Sequence, residues 1–199
     1  MSGGARVNGV VAAAHAADLA WHLSPACERI EVAGSIRRFS SDVGDIELVA
    51  VPKRHLEPEG LWGEAETNDL TMRVDELIRA GELAPHPDDP KRGDRYSKLL
   101  HPRSGLQVDL FSATAGTFGL IYLIRTGPAA YSQRLVTDAH RRGHHAKDGA
   151  LHKGGGVTYS GAWHPPLGCP ERCEIVPTPD EGAVYAALGI PFVAPELRA

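Results

Sequence analysis

The segment from Gly44 to Pro52 constrains the fold of this chain more than any other. It is an apolar run that is interrupted near its start by two carboxylates, Asp45 and Glu47. Alternate residues of a strand point to the same face. Asp45 and Glu47 therefore share one face, while Ile46 and Leu48 face a core. The pattern predicts a buried strand that carries two acids on one side.

A third carboxylate belongs to another apolar strand. Asp109 stands between Val108 and Leu110 in the segment 106–111. Two carboxylates on one strand face and a third on a neighbouring strand supply the oxygen ligands that hard divalent cations such as Mg²⁺ require. Two such ions, about 3.5–4 Å apart, stabilise the attacking and leaving oxygens of phosphoryl transfer. An Asp-x-Glu pair on a strand is by itself most often a solvent-exposed face, but together with the third acid it makes Asp45, Glu47 and Asp109 the candidate catalytic and metal-binding residues.

A phosphate-binding turn is predicted ahead of these acids. A short strand over 30–32 runs into Gly34-Ser35, whose backbone N–H groups and hydroxyl suit a phosphate, and Arg38 adds a planar guanidinium. Each feature alone is most often an ordinary turn or a solvated arginine. Their occurrence together, with nine residues between Ser35 and Asp45, is what indicates phosphate chemistry.

The remaining elements predict an α+β chain. Helical periodicity is found over 7–23, 70–78, 118–125, 131–142 and 181–188, and an antiparallel strand pair is predicted over 96–100 and 106–111. Residues 53–66, rich in proline, glycine and acids, are predicted to be a loop. We expect a mixed sheet with helices on one face over 1–114, followed by a small α+β domain over 115–199.

Charge is distributed unevenly along the 199 residues. The formal net charge is −4, which for a single uniform body argues against nucleic-acid binding. Residues 1–114 carry 18 acids and 13 bases, whereas 115–165 carry two acids and six bases. This segment is either a chance excess on a solvated helix face or a basic lobe that binds DNA. The candidate DNA-binding residues are Arg134, Arg141, Arg142, Lys147 and Lys153.

Composition excludes two classes of protein. Hydrophobic residues make up 42% of the chain and charged residues 23%, which is typical of a folded protein rather than a disordered one. The longest weakly polar stretch, 10–23, is too short and too polar to span a membrane. The three cysteines are too few for a disulfide framework, so a reducing cytoplasm is expected.

Several of these motifs together resemble a known family. Gly34-Ser35, followed after nine residues by Asp45-Ile46-Glu47, is similar to the signature of the DNA polymerase beta nucleotidyltransferase superfamily. The segments 31–38, 43–46 and 106–110 resemble the palm of family X DNA polymerases. The segments 125–128, 175–181 and 187–198 resemble the thumb of the same family. The resemblance extends over about residues 7–198 in the right order.

The resemblance implies a role for each matching position. The chain would be a palm over 1–114 and a thumb over 115–199, without lyase or fingers domains, and would act as a monomer. Asp45, Glu47 and Asp109 would hold two Mg²⁺ ions, for which Mn²⁺ can substitute. The residues implied in binding the dNTP are Gly34, Ser35, Arg38 and Gly44 at the triphosphate, Arg125, Thr126 and Gly127 at the sugar, and Tyr131 and Ser132 near the base.

The implied activity is addition of deoxynucleotides to a primer 3′-hydroxyl in gapped or primed DNA, in a bacterial cytoplasm or a phage-infected host.

Four positions depart from the family pattern: Glu47 replaces an aspartate, Gln107 an arginine, Arg125 an aromatic residue and Pro128 a serine. Two alternatives stay open. One is a nucleotidyltransferase of the same fold that modifies an RNA end, a protein or a small molecule, and the other is an inactive DNA-binding remnant.

Two further groups of residues have competing interpretations. His164, Cys169 and Cys173 are a possible zinc site, although a proline-rich loop with free thiols or an occasional disulfide is favoured. His144 and His145 are possible phosphate contacts when protonated, but exposed loop histidines are the favoured interpretation.

Overall fold

The apolar segment around Ile46 is a central strand of a mixed sheet in the computed structural model. The structure describes residues 5–59, 63–154 and 173–198. The chain divides into two compact units, Met1–Thr114 and Ala115–Ala199. The strands of the first unit are β1 (Val7–Asn8), β2 (Cys27–Val32), β3 (Asp42–Val43), β4 (Asp45–Pro52), β5 (Arg54–Glu59), β6 (Gly63–Asn68), β7 (Ala84–Pro85), β8 (Lys91–Arg92), β9 (Tyr96–His101) and β10 (Leu106–Ser112). Its helices are α1 (Gly9–Leu23), α2 (Gly34–Arg37) and α3 (Asp69–Arg79), and a short 3-10 turn lies at Ser24–Ala26.

The main sheet has the strand order β2-β4-β10-β9-β7, and β8 also pairs with β9. Strands β4 and β10 are parallel, and the other pairs are antiparallel. The predicted pairing of β9 with β10 is present, with His101 opposite Leu106 at the turn. The predicted α+β class with a mixed sheet is confirmed.

The core of the first unit lies on one face of this sheet. Helices α1 and α3 pack there against alternate residues of β4 and β10, among them Ile46, Leu48, Val108 and Leu110. The helix residues in this core are Ala12, Ala16, Leu19, Leu23, Leu70, Val74 and Leu77. Because the helices cover one face, the odd-numbered residues of β4 and β10 are left on the other.

Asparagine side chains fix the starts of both core helices. Asn8 accepts a hydrogen bond from the amide of Val10, and Asn68 accepts from the amides of Leu70 and Thr71. Each bond satisfies an amide that the first turn of a helix leaves without a partner. Helix α1 consequently begins at Gly9, two residues later than predicted.

The predicted loop over 53–66 is wrong. Residues 54–59 and 63–66 belong to the antiparallel strand pair of β5 and β6, which runs from Arg54 opposite Asn68 to Glu59 opposite Gly63. Most of its side chains that are described are exposed, Leu56 at 64% among them. Because neither face of a solvated hairpin is buried, it lacks the apolar alternation from which strands are predicted.

The second unit combines helices with a small antiparallel sheet. Its helices are α4 (Phe118–Thr126), α5 (Ala129–Arg141) and α6 (Glu181–Leu188), with a 3-10 turn at Pro195–Leu197. The strands β11 (His144–Lys147), β12 (Ala150–Lys153) and β13 (Glu174–Val176) form a sheet in that order. Its core contains Leu120, Leu123, Leu135, Ala139, Leu151, Val184, Tyr185 and Leu188.

Helix α6 has the bounds that the sequence predicts. Asp180 caps its first turn by accepting a hydrogen bond from the amide of Ala183, and Gly189 ends it in the left-handed conformation at φ 61°.

In the parts of the chain that the structure describes, no helix has both the length and the apolar character needed to cross a membrane.

Candidate functional site

The three predicted carboxylates project from one face of the main sheet. Strands β4 and β10 run parallel in register, so that Asp109 lies opposite Glu47 and Gln107 opposite Asp45. The face is the one that helices α1 and α3 leave uncovered. Asp109 is 7% exposed, and Asp45 and Glu47 are half-buried. The acids are therefore fixed on the two adjacent central strands.

Charged groups from the predicted site, from the turn before it and from the start of the chain act on Asp45. Burial raises the pKa of Asp45, and the negative charge of Asp109 raises it further. The guanidinium groups of Arg38 and Arg6 act in the opposite direction. Asp109, Arg38 and Arg6 are therefore within electrostatic reach of Asp45.

Asp109 accepts a hydrogen bond at each of its two carboxylate oxygens. The hydroxyl of Tyr96 donates to Oδ1 at 2.5 Å, and Nε2 of Gln107 donates to Oδ2 at 2.7 Å. The ring of Tyr96 is stacked on Phe111, with centroids 4.9 Å apart and planes at 19°. Tyr96 therefore reaches the carboxylate from a ring that is itself held by packing.

Glu47 lies against the predicted phosphate-binding turn. Gly34 follows β2 with φ 66°, a conformation that favours glycine, and a Cβ at this position would lie 2.2 Å from Oε2 of Glu47. The amide of Ala33 also donates to the carbonyl of Glu47 at 2.8 Å. Gly34 is thus required both for its backbone angle and for the space that Glu47 occupies.

The donor set has the chemistry of a divalent-cation site. Among the described residues, no three histidine, cysteine, aspartate or glutamate side chains are grouped closely enough to form a metal site. In this arrangement Glu47 is turned onto Gly34. Asp45 and Asp109 are nevertheless oxygen ligands that repel each other in a partly buried place, and a hard cation between them would relieve that repulsion. The oxygen donors present therefore have the chemistry that suits a hard divalent cation.

Arg6 is a site residue that the sequence did not reveal. Its guanidinium bonds Oδ2 of Asp42 at 2.6 Å, and Nη1 lies 3.2 Å from the place where a Cβ of Gly44 would be. The two-residue pairing of β1 with β3, Val7 opposite Val43, brings it there. Only the pairing of β1 with β3 brings Arg6 near Gly44 and Asp45. The spacing of residues along the chain therefore could not predict its position.

The residues predicted at the sugar and base form a tight corner between α4 and α5. Arg125 is exposed and Thr126 is fully buried. A Cβ at Gly127 would lie 2.8 Å from Cδ1 of Tyr131 and 2.9 Å from Oγ of Ser132. The hydroxyl of Tyr131 is 2.6 Å from that of Tyr185, and Ser132 donates to the carbonyl of Ile124 at 2.7 Å. The contact of these residues with a nucleotide stays a prediction.

The basic residues of the second unit are on its surface, whereas two of its histidines are not. Arg134, Arg141, Arg142, Lys147 and Lys153 are all exposed. The interpretation of His144 and His145 as exposed loop residues is wrong, because both lie on β11 and are 8% and 2% exposed. Burial and the surrounding positive charges lower the pKa of His145. Of the possible zinc ligands, His164 and Cys169 lie outside the described residues.

The chain is similar to polymerase beta of Leishmania infantum, whose crystal structure is a ternary P/T complex. The TM-score is 0.71 at 16% sequence identity, and the match covers 98% of this chain and 77% of that chain. The fold is that of polymerase beta. No family model and no curated protein matches the sequence.

Proposed function

We propose that this chain is a metal-dependent DNA polymerase of the family X type, which adds deoxynucleotides to a primer 3′-hydroxyl in gapped or primed DNA. The observation that carries the proposal is the placement of Asp45, Glu47 and Asp109 on one face of the parallel strands β4 and β10, within a polymerase beta-like fold. The proposed palm is the unit Met1–Thr114, and the proposed thumb is the unit Ala115–Ala199.

Each proposed contact follows from the chemistry of the side chain. Asp45, Glu47 and Asp109 would hold two Mg²⁺ ions, which when bound supply positive charge to the attacking and leaving oxygens. The turn at Gly34-Ser35, Gly44 and the guanidinium groups of Arg38 and Arg6 would bind the triphosphate. The primer oxygen would form its bond to the α-phosphorus as pyrophosphate leaves. The protein contributes mainly orientation and charge.

The second unit would bind the nucleotide and the DNA backbone. Arg125, Thr126 and Gly127 are proposed to contact the sugar, with Tyr131 and Ser132 near the base. The exposed cations Arg134, Arg141, Arg142, Lys147 and Lys153 would contact phosphates. Contacts of this kind give an affinity that is independent of sequence and sensitive to salt.

A substrate panel tests the proposed activity. Labelled dNTPs, or labelled ATP, would be incubated with gapped, nicked and single-stranded DNA and with RNA, each in Mg²⁺ and in excess EDTA. We expect incorporation into gapped or primed DNA that Mn²⁺ also supports and EDTA abolishes. Transfer of label to RNA, protein or a small molecule, with none to any DNA, would favour the alternative nucleotidyltransferase. No transfer at all would favour a DNA-binding remnant.

Replacing Arg141 and Arg142 together by alanine should weaken DNA binding at every sequence. Each phosphate contact contributes about 0.9 to the slope of log affinity against log salt, so two lost contacts flatten the slope by about 1.8. Fluorescence anisotropy over a salt series measures it. The matched control is Arg79→Ala with Arg103→Ala, which removes the same charge from exposed positions of the first unit. An unchanged slope in the test variant contradicts the assignment of these two residues.

A further inference from the structure

The two hydrogen bonds to Asp109 come from neutral groups. Tyr96 on β9 donates to one oxygen at 2.5 Å, and Gln107 on β10 donates to the other at 2.7 Å. A carboxylate has about four lone-pair positions on its two oxygens. The two donors therefore fix the rotation of the carboxylate and leave further lone pairs on both oxygens.

The cation opposite Asp109 in the strand pairing is directed elsewhere. Lys98 is the residue opposite Asp109 in the pairing of β9 with β10. Its ammonium bonds Oδ2 of Asp89 at 3.2 Å, a contact that also lowers the pKa of Asp89. Lys98, which lies opposite Asp109, is thus bonded to Asp89 instead. The hydrogen bonds to Asp109 come from the uncharged Tyr96 and Gln107.

Neutral donors suit a carboxylate that has to bind a cation. A hydroxyl and an amide orient the oxygens without supplying a positive charge. Orientation matters here because Asp45 repels Asp109 across the sheet and would otherwise favour rotation of the carboxylate away from it.

We infer that Tyr96 and Gln107 are positioning residues that hold Asp109 in the orientation in which it binds a divalent cation. The inference rests on the proposed function, since it assigns the cation to Asp109. Partners that orient a metal ligand contribute about 10- to 100-fold to metal affinity. The hydroxyl of Tyr96 is the group that bonds Asp109, and its ring is stacked on Phe111.

The test is Mn²⁺ affinity measured by electron paramagnetic resonance on the full chain without nucleotide or DNA. Tyr96→Phe keeps the stacked ring and removes only the hydroxyl, and we expect its Kd for Mn²⁺ to rise about 10-fold. Gln107→Met removes the other donor at similar size and should act in the same direction. The matched control is Tyr185→Phe, which loses a hydroxyl engaged at 2.6 Å in the other unit and should leave the Kd unchanged.

The outcomes separate this inference from the proposed function. If wild type binds Mn²⁺ and both variants bind it equally well, the inference is wrong and the proposed function stands. If wild type binds no Mn²⁺, the metal assignment and the inference fall together. Circular dichroism establishes that each variant is folded. Should Tyr96→Phe not fold, Gln107→Met decides the outcome on the same criterion.

Discussion

Replacing Asp45 by asparagine is expected to reduce nucleotide incorporation by about 10³-fold. At 1.36 kcal/mol for each factor of ten, this corresponds to about 4 kcal/mol of transition-state stabilisation, which is within what a metal-held charge contributes. Asparagine keeps the size of the side chain but not the charge that would hold a cation. Single-turnover incorporation into gapped DNA measures the loss.

The same substitution should make the first unit more stable at neutral pH when metal is absent. Burial and the charge of Asp109 raise the pKa of Asp45 above 3.8, its ordinary value. Because its pKa is raised on folding, Asp45 favours the folded state most when it is protonated, below about pH 3.8. This contribution to the free energy of unfolding is lost as the pH rises through the pKa of Asp45 in the folded protein. The asparagine side chain carries no charge at any pH, so the advantage of the variant is largest at pH 7 and shrinks on acidification.

Thermal unfolding in EDTA at pH 7 and pH 5 measures this second effect. The control is Asp75→Asn, an exposed carboxylate on α3 that pairs with Arg92. We expect it to keep full activity and to show no gain in stability. Retained activity in Asp45→Asn would contradict the metal assignment, and a lower Tm at pH 7 would contradict the electrostatic account of Asp45.

Replacing Arg198 by alanine is expected to lower the free energy of unfolding of the second unit by about 3–5 kcal/mol. Arg198 is 3% exposed and Glu181 is 6% exposed. Nη1 of Arg198 bonds Oε1 of Glu181 at 2.7 Å, and Nη2 bonds Oε2 at 3.1 Å. Its Nε and Nη2 also donate to the carbonyl of Val193. Removing the arginine leaves a buried carboxylate and a carbonyl without these donors.

For a unit of this size the expected loss lowers the Tm by more than about 10 °C. Differential scanning calorimetry measures the shift. Arg141→Ala is the matched control, because it breaks an exposed pair with Asp138 and should cost about 0.5 kcal/mol or less. The double variant Arg198→Met with Glu181→Leu should recover most of the loss, since it removes both charges together. An unchanged Tm in Arg198→Ala would show that the pair contributes nothing.

Sequence reasoning predicted the elements whose residues alternate between a core and another face. The strands that carry Asp45 and Asp109 belong to this class, because burial on one side imposes a period that the sequence displays. Helix α6 was predicted from its end instead, since Gly189 and Pro191 stop a short apolar segment. The hairpin of β5 and β6 was missed for the opposite reason. Its described side chains are mostly exposed, so no period is imposed.

The candidate site was predicted less completely than the fold. Arg6 and Tyr96 act on the acids only because strand pairing brings them close, and no spacing along the chain expresses that. Gln107 is different, because it lies two residues before Asp109 on the same strand and so shares its face. The rotation of Glu47 onto Gly34 is likewise a tertiary contact. His145 was placed wrongly because a short strand of polar residues resembles a loop in sequence, while its burial comes from packing in the second unit.

The parallel pairing of β4 with β10 has a consequence for how the site assembles during folding. Strands β9 and β10 meet across a short turn and can pair early, but β10 reaches β4 only after the chain over 53–105 has closed on itself. Closing a long loop costs entropy that is recovered only once the sheet is complete, and such non-local pairing is slow. We therefore expect Asp45 and Asp109 to meet in a late step, so that recovery of the proposed cation binding during refolding would report completion of the sheet.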